Sequence, residues 1–250
     1  MRVELFSIHG CPGHPGTTLL IDGILAVDAG VLGLNRRVEE LAAVRHVLLT
    51  HAHHDHIAGL PIFLDTVYGY DDTPPTIHAS DSTLAALRAY IFNNQIMPDF
   101  VSMSAVMTPF LKLNAIAANV TLMLDDYRVT PFPVDHSIPT FGYLIESANS
   151  GSAVAIVTDT LPINWSAIAA MPNLKAVFLE ASFPDRYAEL AHVSKHYTVS
   201  QFLEAARLLP LGVQVIPMHL KPRFAEELLA TIRAAKLPNV ALPDDGVVVV

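Results

Sequence analysis

Apolar residues along the first half of the chain form short runs separated by polar turns, a pattern that predicts strands mixed with a few helices. Residues 46–50 hold four apolar or β-branched side chains in five, with no helical period, which is typical of a buried strand. An Asp-Gly pair at 22–23 between two apolar runs predicts a hairpin. Strands are predicted at 3–8, 18–21, 24–27, 46–50 and 76–79, and helices from Asn35 as cap to Val44, from Asp55 to Pro61, and from Asp81 or Ser82 to Phe92.

The second half alternates strands and helices more regularly. Antiparallel strands followed by alternating strands and helices predict an α/β layered fold, with two β layers facing each other and helices outside. We expect one domain over residues 1–250. Strands are predicted at 120–124, 127–134, 141–146, 153–157, 176–179 and 213–216, and helices at 163–170, 199–209 and 225–235.

Residues 93–112 interrupt this alternation with an apolar, Met-rich stretch. One interpretation is an insertion that covers a functional site or forms a contact in a homodimer. Ordinary core packing by flexible Met side chains explains the stretch equally well.

Composition narrows the function classes. Hydrophobic residues make up 52% of the chain and charged residues 16%, which predicts a large core and excludes disorder. The net charge of -9, from 15 Lys plus Arg against 24 Asp plus Glu, argues against binding of extended nucleic acid. The single cysteine, Cys11, excludes an internal disulfide and fits a reducing compartment. Because no apolar stretch approaches the length of a membrane span, we expect a cytoplasmic protein without membrane partners.

The candidate chemistry is concentrated in residues 50–56, Thr-His-Ala-His-His-Asp-His, directly after the predicted strand 46–50. His51 and His53 project to the same side of an extended segment, while Asp55 and His56 follow at a turn. Imidazoles combined with a carboxylate suit zinc, manganese or iron, and this spacing can serve two adjacent ions. His54 is left out of the ligand set because its parity points away from His53.

Further ligands are needed to complete two metal shells. Three residues qualify because each ends a predicted apolar strand: His136, Asp159 and His219. Loops at one edge of a layered α/β fold converge in this way at active sites. Each residue alone is more simply a turn or cap residue, but three after three strands favour a shared site.

This order of motifs resembles the metallo-β-lactamase superfamily. The resemblance implies an αββα sandwich of four layers and a binuclear metal centre, with zinc, manganese or iron as the divalent ions. It implies that His51, His53 and His136 hold one ion, that Asp55, His56 and His219 hold the other, and that Asp159 bridges them. Ions in such a site lower the pKa of a bridging water enough to supply hydroxide near neutral pH.

Four segments resemble the class II cyclic-nucleotide phosphodiesterases, which hydrolyse 3′,5′-cyclic nucleotides such as cAMP and cGMP to 5′-monophosphates. This sequence departs from the pattern of that family at two places, which bear on the range of substrates. His54 stands where that family has Leu, and residues 195–199, Lys-His-Tyr-Thr-Val, stand where it has Gly-His-Leu-Thr-Pro. The segments are 93–100, 179–184, 194–198 and 219–222.

Glu180 and His196 resemble a Glu and His pair in the tRNA 3′-processing endonucleases, where the pair handles the proton of the leaving oxygen. The resemblance assigns Glu180 and His196 to this proton transfer. We predict Asp55, Glu180 and His196 as catalytic residues, and His196 and Lys221 as substrate-binding residues. Simpler roles remain open, because Glu180 could pair with a lysine and His196 could cap the following helix. Lys195, Lys221 and Arg223 either add local positive charge or are solvated surface residues.

Three other functions compete with cyclic-nucleotide hydrolysis. A tRNA-processing endonuclease would use the same site but needs a wide basic footprint. A lactonase or thioesterase would direct the same hydroxide at a carbonyl carbon. A metal-binding protein without turnover is the third, although an apparent proton donor argues against it.

Overall fold

The computed structural model describes residues 1–6, 16–34, 36–71, 73–242 and 246–250, so Cys11 and Asn35 lie outside the described residues. The chain divides into two compact units. The N-terminal unit holds residues 2–6 and 16–117, and the C-terminal unit holds residue 1 with 118–242 and 246–250. The prediction that residues 1–250 form one domain stays a prediction.

The N-terminal unit is built on a mixed sheet in which β1 to β6 are neighbours in chain order. β1, β2 and β3 pair antiparallel, which confirms the predicted Asp-Gly hairpin, and β3 to β6 pair parallel. The strands are β1 (Arg2–Leu5), β2 (Leu19–Ile21), β3 (Leu25–Val27), β4 (His46–Leu48), β5 (Thr76–Ala79) and β6 (Lys112–Ala115). The helices are α1 (Val38–Ala42), α2 (His54–Ile57), α3 (Leu60–Val67), α4 (Asp81–Ala86) and α5 (Phe100–Met103), with a π-helical segment at Leu87–Ile91.

One apolar core joins these helices to the sheet. Val47 and Ile77 of neighbouring strands share it with Leu41 of α1 and Phe63 and Leu64 of α3, and all five are almost fully buried. Burial of about 25 cal/mol per Å² of apolar surface makes this core the main stabilising term of the unit. The ends of β3 and β4 are thereby fixed beside each other.

Three sequence predictions about helices were wrong in detail. α1 begins after Arg37 and ends at Ala42, short of Val44. The helix predicted to end by Pro61 is α2, which ends at Ile57, but α3 was not predicted; Pro61 lies in its first turn, where the missing N–H costs nothing. Ser80 caps α4 by accepting from Thr83 N at 3.2 Å, a role predicted for Asp81 or Ser82.

Residues 93–112 contribute to the core of the N-terminal unit. The rings of Phe100 and Phe110 are stacked at 4.2 Å, and Tyr68 stacks on the other side of Phe110 at 3.9 Å. Val106, in contrast, is 85% exposed. Core packing thus accounts for part of the segment, and its role as a lid or dimer contact stays a prediction.

The C-terminal unit is built on a sheet with the order β12-β11-β10-β9-β8-β7. β10, β11 and β12 pair parallel, while β7 to β10 pair antiparallel. The strands of this sheet are β7 (Leu122–Leu124), β8 (Tyr127–Val134), β9 (Thr140–Ser147), β10 (Ala153–Val157), β11 (Leu174–Glu180) and β12 (Gln214–Met218). A further strand at the C-terminus, β13 (Val247–Val249), lies outside this sheet. The helices are α6 (Ser166–Ala169), α7 (Ala188–Ser194), α8 (Val199–Leu208) and α9 (Ala225–Ala235), with 3-10 turns at Asp185–Tyr187 and Pro222–Phe224.

α8 and α9 bury their apolar faces in a second core. Phe202 of α8 and Leu228 of α9 pack in one cluster with Val177 and Leu179 of β11. α8 begins at a capping box, in which Thr198 and Gln201 satisfy each other's backbone N–H groups. α9 has the predicted bounds, whereas α7, β6 and β13 were not predicted. Among the described residues, no helix combines the length and apolar character needed to cross a membrane.

Candidate metal centre

In the N-terminal unit the 50–56 motif begins just after β4 and continues into α2. Nε2 of His51 lies 2.9 Å from Nδ1 of His53, and Nε2 of His56 lies 3.8 Å from a carboxylate oxygen of Asp55. His51 and His56 are fully buried, while His54 is exposed at the start of α2. His54 thus lies apart from the other three histidines and Asp55, whose role as metal ligands stays a prediction.

Asp28, which the sequence analysis missed, orients this motif from the end of β3. One of its oxygens lies 2.7 Å from Nδ1 of His56, and both accept hydrogen bonds from Thr50 Oγ1. Thr50 Oγ1 in turn lies 2.9 Å from Nδ1 of His51. Burial raises the pKa of Asp28 above its usual range, and the neighbouring His56 opposes part of this shift. A carboxylate directly after an apolar strand was the available signal for Asp28, as it was for Asp159.

Close backbone contacts fix the position of Asp55. Its carbonyl oxygen accepts from Thr17 N at 2.8 Å, and the carbonyl oxygen of His56 accepts from Ala29 N at 2.7 Å. A Cβ on Gly30 would come within 2.0 Å of the Asp55 carbonyl oxygen, so only glycine permits this approach. The segment after β3 therefore holds the motif in place through its backbone.

The C-terminal unit brings together the three other predicted ligands. Nε2 of His136 lies 3.7 Å from Oδ2 of Asp159, and Nε2 of His219 lies 3.4 Å from Oδ1 of Asp159. Asp159 lies two residues after the end of β10, and His219 directly follows β12. Both have positive φ angles, 54° for Asp159 and 51° for His219. Such backbone strain in residues other than glycine is concentrated at functional sites. Thr158 Oγ1, also missed from sequence, donates to Asp159 Oδ1 at 2.6 Å.

Glu180 and His196 form a buried pair in the same unit. Oε2 of Glu180 lies 2.8 Å from Nδ1 of His196, and Oε1 accepts from Thr160 N at 2.7 Å. Glu180 is fully buried and has no lysine among these partners. Thr198, two residues after His196, is the cap of α8. The two simpler roles, a lysine partner for Glu180 and helix capping by His196, do not describe the structure.

The two lysines predicted near the site differ in their contacts. Lys195 Nζ donates to Asp135 Oδ1 at 2.6 Å and to the His136 carbonyl oxygen at 3.1 Å. The carbonyl oxygen of Lys195 lies 3.3 Å from Nδ1 of His136, so Lys195 holds the His136 loop. Lys221 is half-buried at the beginning of a 3-10 turn, two residues after His219.

Both sets of residues have the chemistry of a divalent metal site. Imidazole nitrogens and carboxylate oxygens within one cluster suit zinc, manganese or iron. Ligating histidines are normally oriented by a hydrogen bond at the other ring nitrogen, which fixes the ligand tautomer. Nδ1 has such a partner in His51 (Thr50), His56 (Asp28), His136 (Lys195 carbonyl oxygen) and His219 (Ser182 Oγ, 3.1 Å).

The sequence profile of the family described as "Beta-lactamase superfamily domain" matches residues 17–220, which contain the whole 50–56 motif and all the predicted ligands of both units. The chain belongs to the metallo-β-lactamase superfamily. Membership of this superfamily confirms the fold class predicted from the order of the motifs, and unliganded yeast PDE1 has the same fold, with a TM-score of 0.74 at 17% identity over 98% of each chain.

Two curated proteins are similar to this chain in sequence. A probable 3′,5′-cyclic-nucleotide phosphodiesterase of Yersinia pestis is 27% identical over 209 residues, 74% of this chain and 59% of that protein. A ribonuclease Z of Natronomonas pharaonis is 31% identical over 112 residues, 44% of this chain and 33% of that protein. The matched part of the chain thus spans less than two thirds of the length of either relative.

Proposed function

We propose that this chain is a metal-dependent hydrolase that converts 3′,5′-cyclic nucleotides, such as cAMP or cGMP, to 5′-nucleoside monophosphates. The observation that carries the proposal is the Glu180 and His196 pair beside two metal-ligand candidates. A ring nitrogen of His196 lies within 4.8 Å of the ligand atoms of Asp159 and His219. The Yersinia pestis relative supports the choice of substrate class.

Two divalent ions, zinc in the first instance, belong to this proposal. The superfamily pattern assigns one ion to His51, His53 and His136, the other to Asp55, His56 and His219, and a bridging position to Asp159. When bound, such ions neutralise phosphate charge and lower the pKa of water, which supplies a nucleophile near neutral pH.

The protein groups account for the protons of the reaction. Water adds to phosphorus as the bond between phosphorus and the 3′-oxygen breaks, and Asp55 accepts the proton that the water loses. His196 donates a proton from Nε2 to the leaving 3′-oxygen, which would otherwise depart as a strongly basic alkoxide. Glu180 accepts the hydrogen bond of Nδ1 and stabilises the protonated ring. Positioning of these groups around the phosphate supplies much of the rate enhancement.

Lys221 is the proposed phosphate contact. It is half-buried two residues after His219 and carries a compact charge on a flexible stem. Lys195 is less suited to this role because its ammonium group already pairs with Asp135 and holds the His136 loop.

The test is hydrolysis of 3′,5′-cAMP by zinc-loaded or manganese-loaded protein, with the product identified by chromatography. We expect 5′-AMP from the wild-type chain and none from Asp159→Ala, while the exposed control Asp65→Ala keeps activity. Absence of 5′-AMP from protein that holds two metals per chain would remove this function. Lactone and thioester substrates would then be tried on the same preparation.

A ribonuclease Z-type endonuclease is the second candidate, favoured by the 31% identity with the Natronomonas pharaonis protein. Its main difficulty is electrostatic, since a chain with net charge -9 offers little attraction to a long polyanion. Gel-shift binding to tRNA that weakens steeply with salt, together with cleavage at the 3′ side, would favour this candidate over the phosphodiesterase.

A further inference from the structure

Ser182 connects the metal-ligand candidate His219 to the Glu180 and His196 pair. It lies just after β11, and its side chain is fully buried. Its Oγ lies 2.6 Å from Oε2 of Glu180, 3.1 Å from Nδ1 of His219 and 2.9 Å from the carbonyl oxygen of His219. Neither composition nor spacing singled out this serine.

The single hydroxyl proton of Ser182 decides the direction of these bonds. A hydrogen bond to an ionised carboxylate is shorter and stronger than one to a neutral acceptor, and the 2.6 Å contact with Glu180 is the shortest of the three. Ser182 therefore donates mainly to Glu180, with the carbonyl oxygen of His219 as a weaker second acceptor of the same proton, and it accepts from Nδ1–H of His219. The same oxygen of Glu180 also accepts from Nδ1–H of His196.

One buried carboxylate thus acts on two histidines, directly on His196 and through Ser182 on His219. With its proton on Nδ1, His219 presents the lone pair of Nε2 towards Asp159, whose Oδ1 is 3.4 Å away. The rings of His196 and His219 lie nearly parallel, 23° apart, with centroids 5.3 Å apart. Both rings are therefore held by one hydrogen-bond network.

We propose that Ser182 is a positioning residue that fixes His219 in its metal-ligating tautomer by linking Nδ1 of His219 to Glu180. The inference rests on the proposed ligand role of His219 and not on the identity of the substrate. Loss of such an outer partner typically weakens metal affinity by about 10-fold to 100-fold.

The test compares Ser182→Ala with Ser182→Thr, which keeps the hydroxyl. The matched control is Ser200→Ala, since Ser200 Oγ also donates to a carboxylate, Asp185, at 2.6 Å but lies exposed on α8. Zinc affinity is measured by competition with a chromophoric chelator, without substrate. We expect a loss of roughly 10-fold to 100-fold in Ser182→Ala and less than about threefold in the other two variants. Wild-type affinity in Ser182→Ala would overturn the proposal.

A second measurement needs no substitution. Nitrogen-15 NMR of the histidine rings in the wild-type protein reports which nitrogen of His219 carries the proton. We expect the proton on Nδ1 with zinc bound, and a proton on Nε2 would overturn the proposal even if Ser182→Ala failed to fold. Because both readouts omit the nucleotide, failure to hydrolyse cAMP would remove the proposed activity and leave this inference standing.

Discussion

Oε2 of Glu180 lies 2.8 Å from Nδ1 of His196, and both side chains are buried, Glu180 completely. A carboxylate in this position orients the ring by accepting the hydrogen bond of Nδ1, an arrangement that suits a proton donor to a leaving oxygen. The sequence resemblance suggested this pair, and the structure shows that Thr198, not His196, caps α8. The role of His196 as proton donor stays a proposal.

His196→Ala should lower kcat for cyclic-nucleotide hydrolysis by about 10²-fold to 10⁴-fold, the usual contribution of a general acid. Metal content should stay at the wild-type level, since the proposed ligand set does not include His196. The measurement is steady-state kinetics with metal analysis of the same samples. The exposed His192→Ala is the control, and an unchanged kcat in His196→Ala would exclude the acid role.

Asp28→Asn should weaken zinc binding by about 10-fold to 100-fold with little change in fold. Asn tolerates the positive φ of 58° at this position, but its amide can offer only one acceptor oxygen to Thr50 and His56. Competition with a chelator measures the affinity. Asp22→Asn, at a φ of 47° in an exposed turn, is the matched control and should bind zinc normally.

The stability of the metal-free protein should fall as the pH is lowered from 7 to 5, in part because of His78. Burial and the neighbouring His46 lower the pKa of His78 from 6.5 to about 4. His78 therefore binds a proton more readily in the unfolded chain than in the folded protein. The stability that depends on neutral His78 is fully present above pH 6.5 and is lost as the pH falls towards 4. The expected loss at pH 5 is about 2 kcal/mol.

Urea unfolding at pH 7 and pH 5 measures this effect, with the chelated wild-type protein compared with His78→Gln. The difference in the free energy of unfolding between pH 7 and pH 5 should be smaller by about 2 kcal/mol in the variant. His78 contacts His46 at 3.1 Å and Asn114 at 2.9 Å, and His78→Gln changes both contacts. The exposed His192→Gln is the control for the loss of a histidine without such contacts. An equal pH dependence in the wild-type protein and His78→Gln would contradict the prediction.

Phe100→Ala should lower the free energy of unfolding by about 3–5 kcal/mol, the cost of a large cavity in a packed core. Phe100 is 2% exposed and its ring stacks on Phe110, so removal of the ring leaves a cavity and breaks this aromatic contact. Val106→Ala, in the same segment at 85% exposure, should change stability by less than about 0.5 kcal/mol. Similar effects of the two changes in urea unfolding would show that residues 93–112 do not belong to the core.

Much of the local structure could be predicted from the sequence. β5, β8, β10 and α9 have the predicted bounds, because each is specified by an apolar pattern of the right period and by turn residues at its ends. Short elements were predicted less well. α7 and β6 carry no distinct period of their own, and the position of Pro61 is compatible with the end or the beginning of a helix.

The sequence by itself determined the candidate ligands and the superfamily, since imidazoles and a carboxylate at this spacing after a strand have few other uses. Only the tertiary structure decided which groups orient them. Asp28 contacts His56, 28 positions away in the chain, and Ser182 contacts His219, 37 positions away. Such contacts depend on the pairing of strands distant in sequence and on single hydroxyl and carboxylate oxygens, which hydrophobic periodicity does not encode.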